Sequence, residues 1–323
     1  MCFRSRMGQA RLLRTILLFA AIFSAMSLAS SRALAWGEER DLSTKWRRTF
    51  LEYPVLRHHR INYCVSIKLA KDKNGKLINP GDFSARSIGE QTKMALQLWL
   101  TAVSRNSLNG PVIINQFPTC YSKNINLIIS IGPSNRHWAL TMGEYNTSGY
   151  YLSHVYINTN SIHSFYWNSQ ALHVPTYDFQ YLLHSYLPGW SLKGFMKYAN
   201  TEKMDVNSIG KIANAPAAYF GFSSYAVLLH EIGHAFGLCD TINNPRDYDC
   251  DPRHVSVANP ADQPPSVMRD ADYYYLTSDD RAGVRDAFHR FSYLIRNKID
   301  FASALPQYRR RLYHFGTTLP TFL

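Results

Sequence analysis

The chain has 323 residues, 46% hydrophobic and 14% aromatic, with 35 lysines and arginines against 23 acids and a net charge of +12. That composition excludes a disordered or fibrous protein and supplies apolar mass for a full core. Residues 1–35 hold five arginines and no acid, so the other 288 residues carry 30 basic and 23 acidic side chains, a net +7. A residual charge of that size, with no basic helix or nucleic-acid motif, argues against DNA or RNA binding.

At the N-terminus, Arg4, Arg6, Arg11 and Arg14 precede an apolar run from Ile16 to Ala29 and then Ala33-Leu34-Ala35. This is the layout of a secretory signal peptide cut before Trp36, with Met1 and Met7 both available as the start. The run is short for a transmembrane span and no second one follows. A secreted or periplasmic product without stable membrane insertion is therefore expected. Four cysteines remain after cleavage, Cys64, Cys120, Cys239 and Cys250, and an even number in an exported chain predicts two disulfides. Of the three pairings, Cys64 with Cys120 and Cys239 with Cys250 is preferred. It ties the first strand to a later one and staples the loop after the histidine motif described below.

Asn62 to Leu69 alternates as a strand. Asn74-Gly75 and Asn79-Pro80-Gly81 mark turns, and Ser84 to Arg105 predicts a helix with Ile88, Met94, Leu96, Leu98 and Trp99 as its apolar content. Strands are expected at Val112 to Phe117, Ile125 to Ile131 and His154 to Asn158. Residues 161–222 then form an unusually long connection. The eleven aromatics from Tyr150 to Trp190 are read as giving this insertion a small core of its own, in preference to substrate subsites or a lid. The last helix carries Val284, Phe288, Phe291, Ile295 and Ile299 on one stripe. Residues 302–323, with Arg309, Arg310 and Arg311, read as a basic solvated tail. No linker or repeat divides residues 36–301. The order predicts one α+β domain with helices packed on a twisted mixed sheet.

The chemistry concentrates at His230-Glu231-Ile232-Gly233-His234-Ala235-Phe236-Gly237-Leu238-Cys239-Asp240. Two histidines four apart on a helix are rotated by about 40° and stacked about 6 Å apart, so both imidazoles reach one ion. Glu231 lies about 100° around the helix from His230, where it serves as a general base toward water rather than as a ligand. Gly237 accepts a positive φ, lets the chain turn off the helix and swings Asp240 back as third ligand. The phase of the motif leaves Cys239 pointing away, so a Cys239 thiolate ligand is the less favoured alternative.

These residues resemble the metzincin clan of zinc endopeptidases, whose long motif is HExxHxxGxxH or, in the snapalysin-like branch, HExxHxxGxxD. Pro265-Ser266-Val267-Met268 follows at the place of the Met-turn, and Leu276 to Phe288 looks like the capped terminal helix of matrixin-type members. The resemblance spans roughly Arg60 to Phe301, with only the zinc motif specific. It implies a zincin fold, one catalytic Zn2+ on His230, His234 and Asp240, an apolar floor at Met268, and an edge strand at His154 to Asn158 bordering the cleft. It also implies hydrolysis of a protein or peptide substrate by a metal-activated water with Glu231 as base. In some metzincins a tyrosine after the Met-turn contributes, which makes Tyr273, Tyr274 and Tyr275 weak further candidates. No spacing defines a second metal, calcium stays open, and the oligomeric state is not set by the sequence. Two rivals remain: a non-haem Fe(II) enzyme with a 2-His-1-carboxylate site, and a secreted module that binds metal without catalysis.

Overall fold

The computed structural model describes residues 37–38, 51–68, 70–71, 77–78, 83–103, 108, 110–133, 139–145, 151–159, 165–167, 170–172, 176–239, 265–270 and 272–296. The expected signal peptide, the basic tail, Asp240 and Cys250 lie outside the described residues. No helix among the described residues is long and apolar enough to cross a membrane.

The chain folds as a mixed α/β structure around a five-stranded sheet of order Ile113–Phe117, Arg60–Ile67, Leu127–Gly132, Tyr151–Asn158 and Ala139–Tyr145. Outside it, β3 (Ala70–Lys71) pairs with β4 (Leu77–Ile78). The strands of the five-stranded sheet are β2 (Arg60–Ile67), β5 (Ile113–Phe117), β6 (Leu127–Gly132), β7 (Ala139–Tyr145) and β8 (Tyr151–Asn158). Strand β2 runs parallel to both β5 and β6, β6 runs parallel to β8, and β7 returns antiparallel to β8. The expected strands all form, with ends shifted by a few residues. The assignment of His154 to Asn158 as the edge is corrected: β8 has a neighbour on each side, and the edge strand on that side of the sheet is β7.

One face of the sheet presents Tyr63, Leu127, Ile129, Ile131, Val155 and Ile157, all buried. Alternation puts these side chains on a common face, against which helices pack. Helix α1 is Glu52–His58, and helix α2 is Ala85–Ala102, capped by the Ser84 side chain on the Ser87 amide. Helix α2 lies along β2 and against the histidine helix, numbered α7 (Ser224–Ala235) below, which crosses β7 and β8. The last helix, α9 (Ser278–Arg296), packs on α1 and α2. Trp99, Phe236 and Phe288 join α2, the end of α7 and α9 in one aromatic chain, with centroid separations of 6.5 and 5.6 Å.

The long connection folds into a hairpin of β9 (Phe165–Trp167) and β10 (Gln170–Leu172) followed by short helices. These are α3 (Phe179–Tyr186), α4 (Leu192–Thr201), α5 (Val206–Ala213) and α6 (Ala217–Gly221). Asp178, Ser191 and Asp205 cap the first three through their side chains. The expectation of a separate core in this insertion is corrected. Phe179 and Phe195 pack on Tyr225 of α7 or on Tyr274, and they belong to the same buried cluster as the sheet. A buried polar knot reinforces the joint: Asp178 accepts from Ser87 Oγ at 2.9 Å and Gln91 Nε2 at 3.0 Å, while Ser224 Oγ donates to Gln91 Oε1. Burial raises the Asp178 carboxyl above its ordinary value, and these donors oppose that rise.

Cys64 and Cys120 form a disulfide across a sequence separation of 56 residues, as expected. The second expected pair, Cys239 with Cys250, lies outside the described residues, apart from the Cys239 backbone. A loop of this size restricts the unfolded chain by up to about 4 kcal/mol. Replacing both Cys64 and Cys120 by alanine is expected to lower unfolding free energy by about 2–4 kcal/mol in urea titration. An unchanged midpoint would mean that the crosslink does not constrain the unfolded ensemble.

Candidate metal centre

Helix α7 is apolar almost all round, and of its residues only His234 is not buried. A helix of this kind belongs inside a core, where any polar side chain needs a partner or a task. Ser223 caps its N-terminus by accepting from the Ala226 amide, and the Trp99 indole of α2 donates to the Leu229 carbonyl at 2.8 Å. The helix is thereby fixed at both its start and its middle.

At its other end, His230, Glu231 and His234 form a group able to hold a metal ion, with one donor atom from each within 4.8 Å of the others. The two imidazoles stand 4.9 Å apart at 86°. His230 Nδ1 lies 2.8 Å from the Val267 carbonyl oxygen, and His234 Nδ1 lies 2.7 Å from the Leu238 carbonyl oxygen. A carbonyl oxygen only accepts, so each contact requires the proton on Nδ1. In a neutral ring the lone pair then sits on Nε2. An outer hydrogen bond from Nδ1 is the arrangement by which proteins commonly orient a histidine to meet a metal through Nε2.

Each carbonyl is delivered by a local device. After α7, Gly237 adopts φ 77° while its amide bonds to the His234 carbonyl at 2.8 Å. The left-handed turn, which favours glycine, brings Leu238 back over the helix end. Strand β11 (Leu238–Cys239) then pairs antiparallel with β1 (Gly37–Glu38). On the other side, Val267 begins helix α8 (Val267–Asp270), and its amide is held by Asp280 of α9, which also accepts from Ser266 Oγ at 2.6 Å. Asp280 further accepts from the amide and hydroxyl of Thr277 at 2.9 and 2.8 Å, closing the N-terminus of α9 as a capping box.

Met268 is fully buried. A Cβ on Gly233 would run into Met268 Sδ and would stand 2.8 Å from the Trp99 ring. Gly233 therefore lets Met268 approach helix α7 closely.

Glu231 is buried, and Thr141 on β7 meets it twice, with Oγ1 2.5 Å from Glu231 Oε2 and 3.0 Å from the Glu231 carbonyl oxygen. Sequence reading missed Thr141, since one threonine in a short strand carries no signal. It also missed the two carbonyl acceptors, which have no sequence signature at all. Asp280 was legible only as part of a helix cap.

Asp240 and the secondary positions Asp251 and His254 lie outside the described residues, as does the side chain of Cys239. Among the three tyrosines, Tyr274 is removed as a metal-ligand candidate. It is fully buried, stacks on Tyr225 at 5.9 Å, and bonds through its hydroxyl to the Phe220 carbonyl at 2.6 Å. Burial pushes its phenol well above the ordinary value. Tyr273 and Tyr275 pair edge-on at 5.7 Å and are half-buried.

No protein-family model matches the chain, and no curated protein matches it. Among solved structures, the chain is similar to one described as the GM1-bound form of the ECX AB5 holotoxin. The TM-score is 0.33 and the identity 13%, over 77% of this chain and 91% of that one. A likeness at that level carries no argument about this chain.

Gly233→Ala is expected to cost about 1–3 kcal/mol, because its methyl group must displace Met268 or the Trp99 ring. Urea unfolding of the metal-free protein measures this directly. Stability equal to or above wild type would show that Met268 does not press on the helix at Gly233.

Proposed function

We propose that this chain is a metal-dependent peptide hydrolase of the metzincin kind, using zinc held by His230, His234 and Asp240. The observation that carries the reading is the pair of imidazoles whose Nδ1–H groups donate to the Val267 and Leu238 carbonyls, with a carboxylate beside them. In rings held this way, Nε2 is the nitrogen that would ligate the ion. Borderline-soft Zn2+ suits two imidazoles and a carboxylate.

A zinc ion bound there supplies Lewis acidity toward the scissile carbonyl and makes water acidic enough to react near neutrality. Glu231 accepts the proton of the attacking water and returns it to the leaving amine. Its burial limits competing solvent. The substrate lies extended beside β7, the edge strand nearest the motif, and is held by main-chain hydrogen bonds of the strand-addition type. Residues 1–35 act as an export signal, and the Cys64–Cys120 disulfide accords with an oxidising compartment.

Zinc-loaded protein is expected to cleave a mixed peptide substrate. Glu231→Ala should keep its zinc and lose about 10³-fold in kcat, because the ligands survive while the proton acceptor is gone. Near-wild-type turnover in that variant removes Glu231 from the mechanism. Iron in place of zinc in metal analysis, with no cleavage, would favour the oxygenase reading instead.

Asp240→Ala should lose zinc readily, and Asp240→His should retain it, since imidazole replaces carboxylate as third ligand. Equal zinc affinity in wild type and Asp240→Ala would place the third ligand elsewhere, with Asp251 and His254 next to be tested.

A further inference from the structure

We infer that Thr141 is the positioning residue for Glu231, a role that rests on the hydrolase reading above. Thr141 lies on the sheet face that meets α7, in register with Val155 of β8. Its hydroxyl sits 2.5 Å from Glu231 Oε2 and 3.0 Å from the carbonyl oxygen of the same residue. One side-chain atom thus touches both ends of Glu231. The short contact is the charge-assisted one, in which the hydroxyl donates to the carboxylate. Holding Oε2 fixes the carboxylate plane, and with it the direction in which the other oxygen faces.

The choice of residue follows from the geometry. A buried carboxylate needs a donor, yet a lysine or arginine would place a full charge beside the metal ligands. A hydroxyl supplies one donor without net charge. Threonine is β-branched, so its χ1 is stiff, and the strand beneath it is part of a paired sheet. Sites built on strands and helices hold their groups more closely than sites on loops. The contact also links two tasks in one element. In the proposed mode the outer edge of β7 takes the substrate backbone while the inward Thr141 sets the base, so docking and alignment share a strand.

The test uses the full-length protein with valine and serine at position 141. Valine keeps the branched shape and removes the hydroxyl, whereas serine keeps the hydroxyl. With zinc bound, Thr141→Val should lose about tenfold to a hundredfold in kcat, the scale of a misaligned catalytic group, with KM within about twofold and zinc content unchanged. Thr141→Ser should recover most of the loss. A purely structural role predicts instead that valine lowers stability or zinc content, with kcat per bound zinc preserved, and that result overturns the inference.

A second measurement does not depend on turnover. In metal-free protein, Thr141→Val should lower the urea midpoint, and the same substitution in a Glu231→Ala background should lower it much less, because the contact is already gone. Equal decreases in the two backgrounds would show that Thr141 does not hold Glu231. If the wild type cleaves nothing while this coupling is present, the hydrolase reading fails, and the catalytic role of Thr141 fails with it. The contact itself would stand.

Discussion

The two hydrogen bonds that fix the protons on His230 and His234 are the constraint from which the rest of the centre follows. A buried imidazole is ambiguous by itself, because either nitrogen can carry the proton. Here each Nδ1 faces a carbonyl oxygen at 2.8 or 2.7 Å, which decides the tautomer of both rings. One nitrogen of each ring and one Glu231 oxygen lie within 4.8 Å of one another. His230 and Glu231 are buried in an apolar helix, where polar groups need a partner or a task.

Much of the surrounding fold serves to place those two carbonyls. The Leu238 carbonyl depends on a left-handed glycine turn at Gly237 and on a short pairing with Gly37 and Glu38. The Val267 carbonyl depends on Asp280, which grips the Val267 amide from the first turn of α9. The helix end from which Asp280 projects is held in turn by packing of α9 on α1 and α2. Segments far apart in the chain thus converge on two ring protons. The helical insertion contributes at the other end of α7, where Phe179 packs on Tyr225 beside Tyr274, and Phe195 backs Phe179 and Tyr274.

What could be read from the sequence was what periodicity and fixed spacing encode. The histidine helix, the glycine turn, the burial of Met268, four of the five sheet strands and the Cys64–Cys120 crosslink were all legible. Strand β7 was not, because the residues it turns toward α7 include Ala139 and Thr141, small enough to let the helix approach and too small to register as a hydrophobic stripe. Gly143 and Glu144 blur its pattern further. The helices between Phe179 and Gly221 are five to ten residues long, too short for a 3.6-residue period to stand out. Their caps at Asp178, Ser191 and Asp205 were the available signal. Partners made of backbone carbonyls leave no mark in a sequence, so the atoms that decide the histidine tautomers were beyond its reach.

The most direct test is a long-range proton–nitrogen correlation spectrum of the histidine rings at neutral pH, recorded on the protein before and after addition of zinc. The account predicts that His230 and His234 are neutral Nδ1–H tautomers in the metal-free protein. It also predicts that one equivalent of zinc shifts their Nε2 resonances while the Nδ1 protons stay in place. Nε2–H tautomers at either residue, or Nε2 resonances that zinc leaves unmoved, would contradict it.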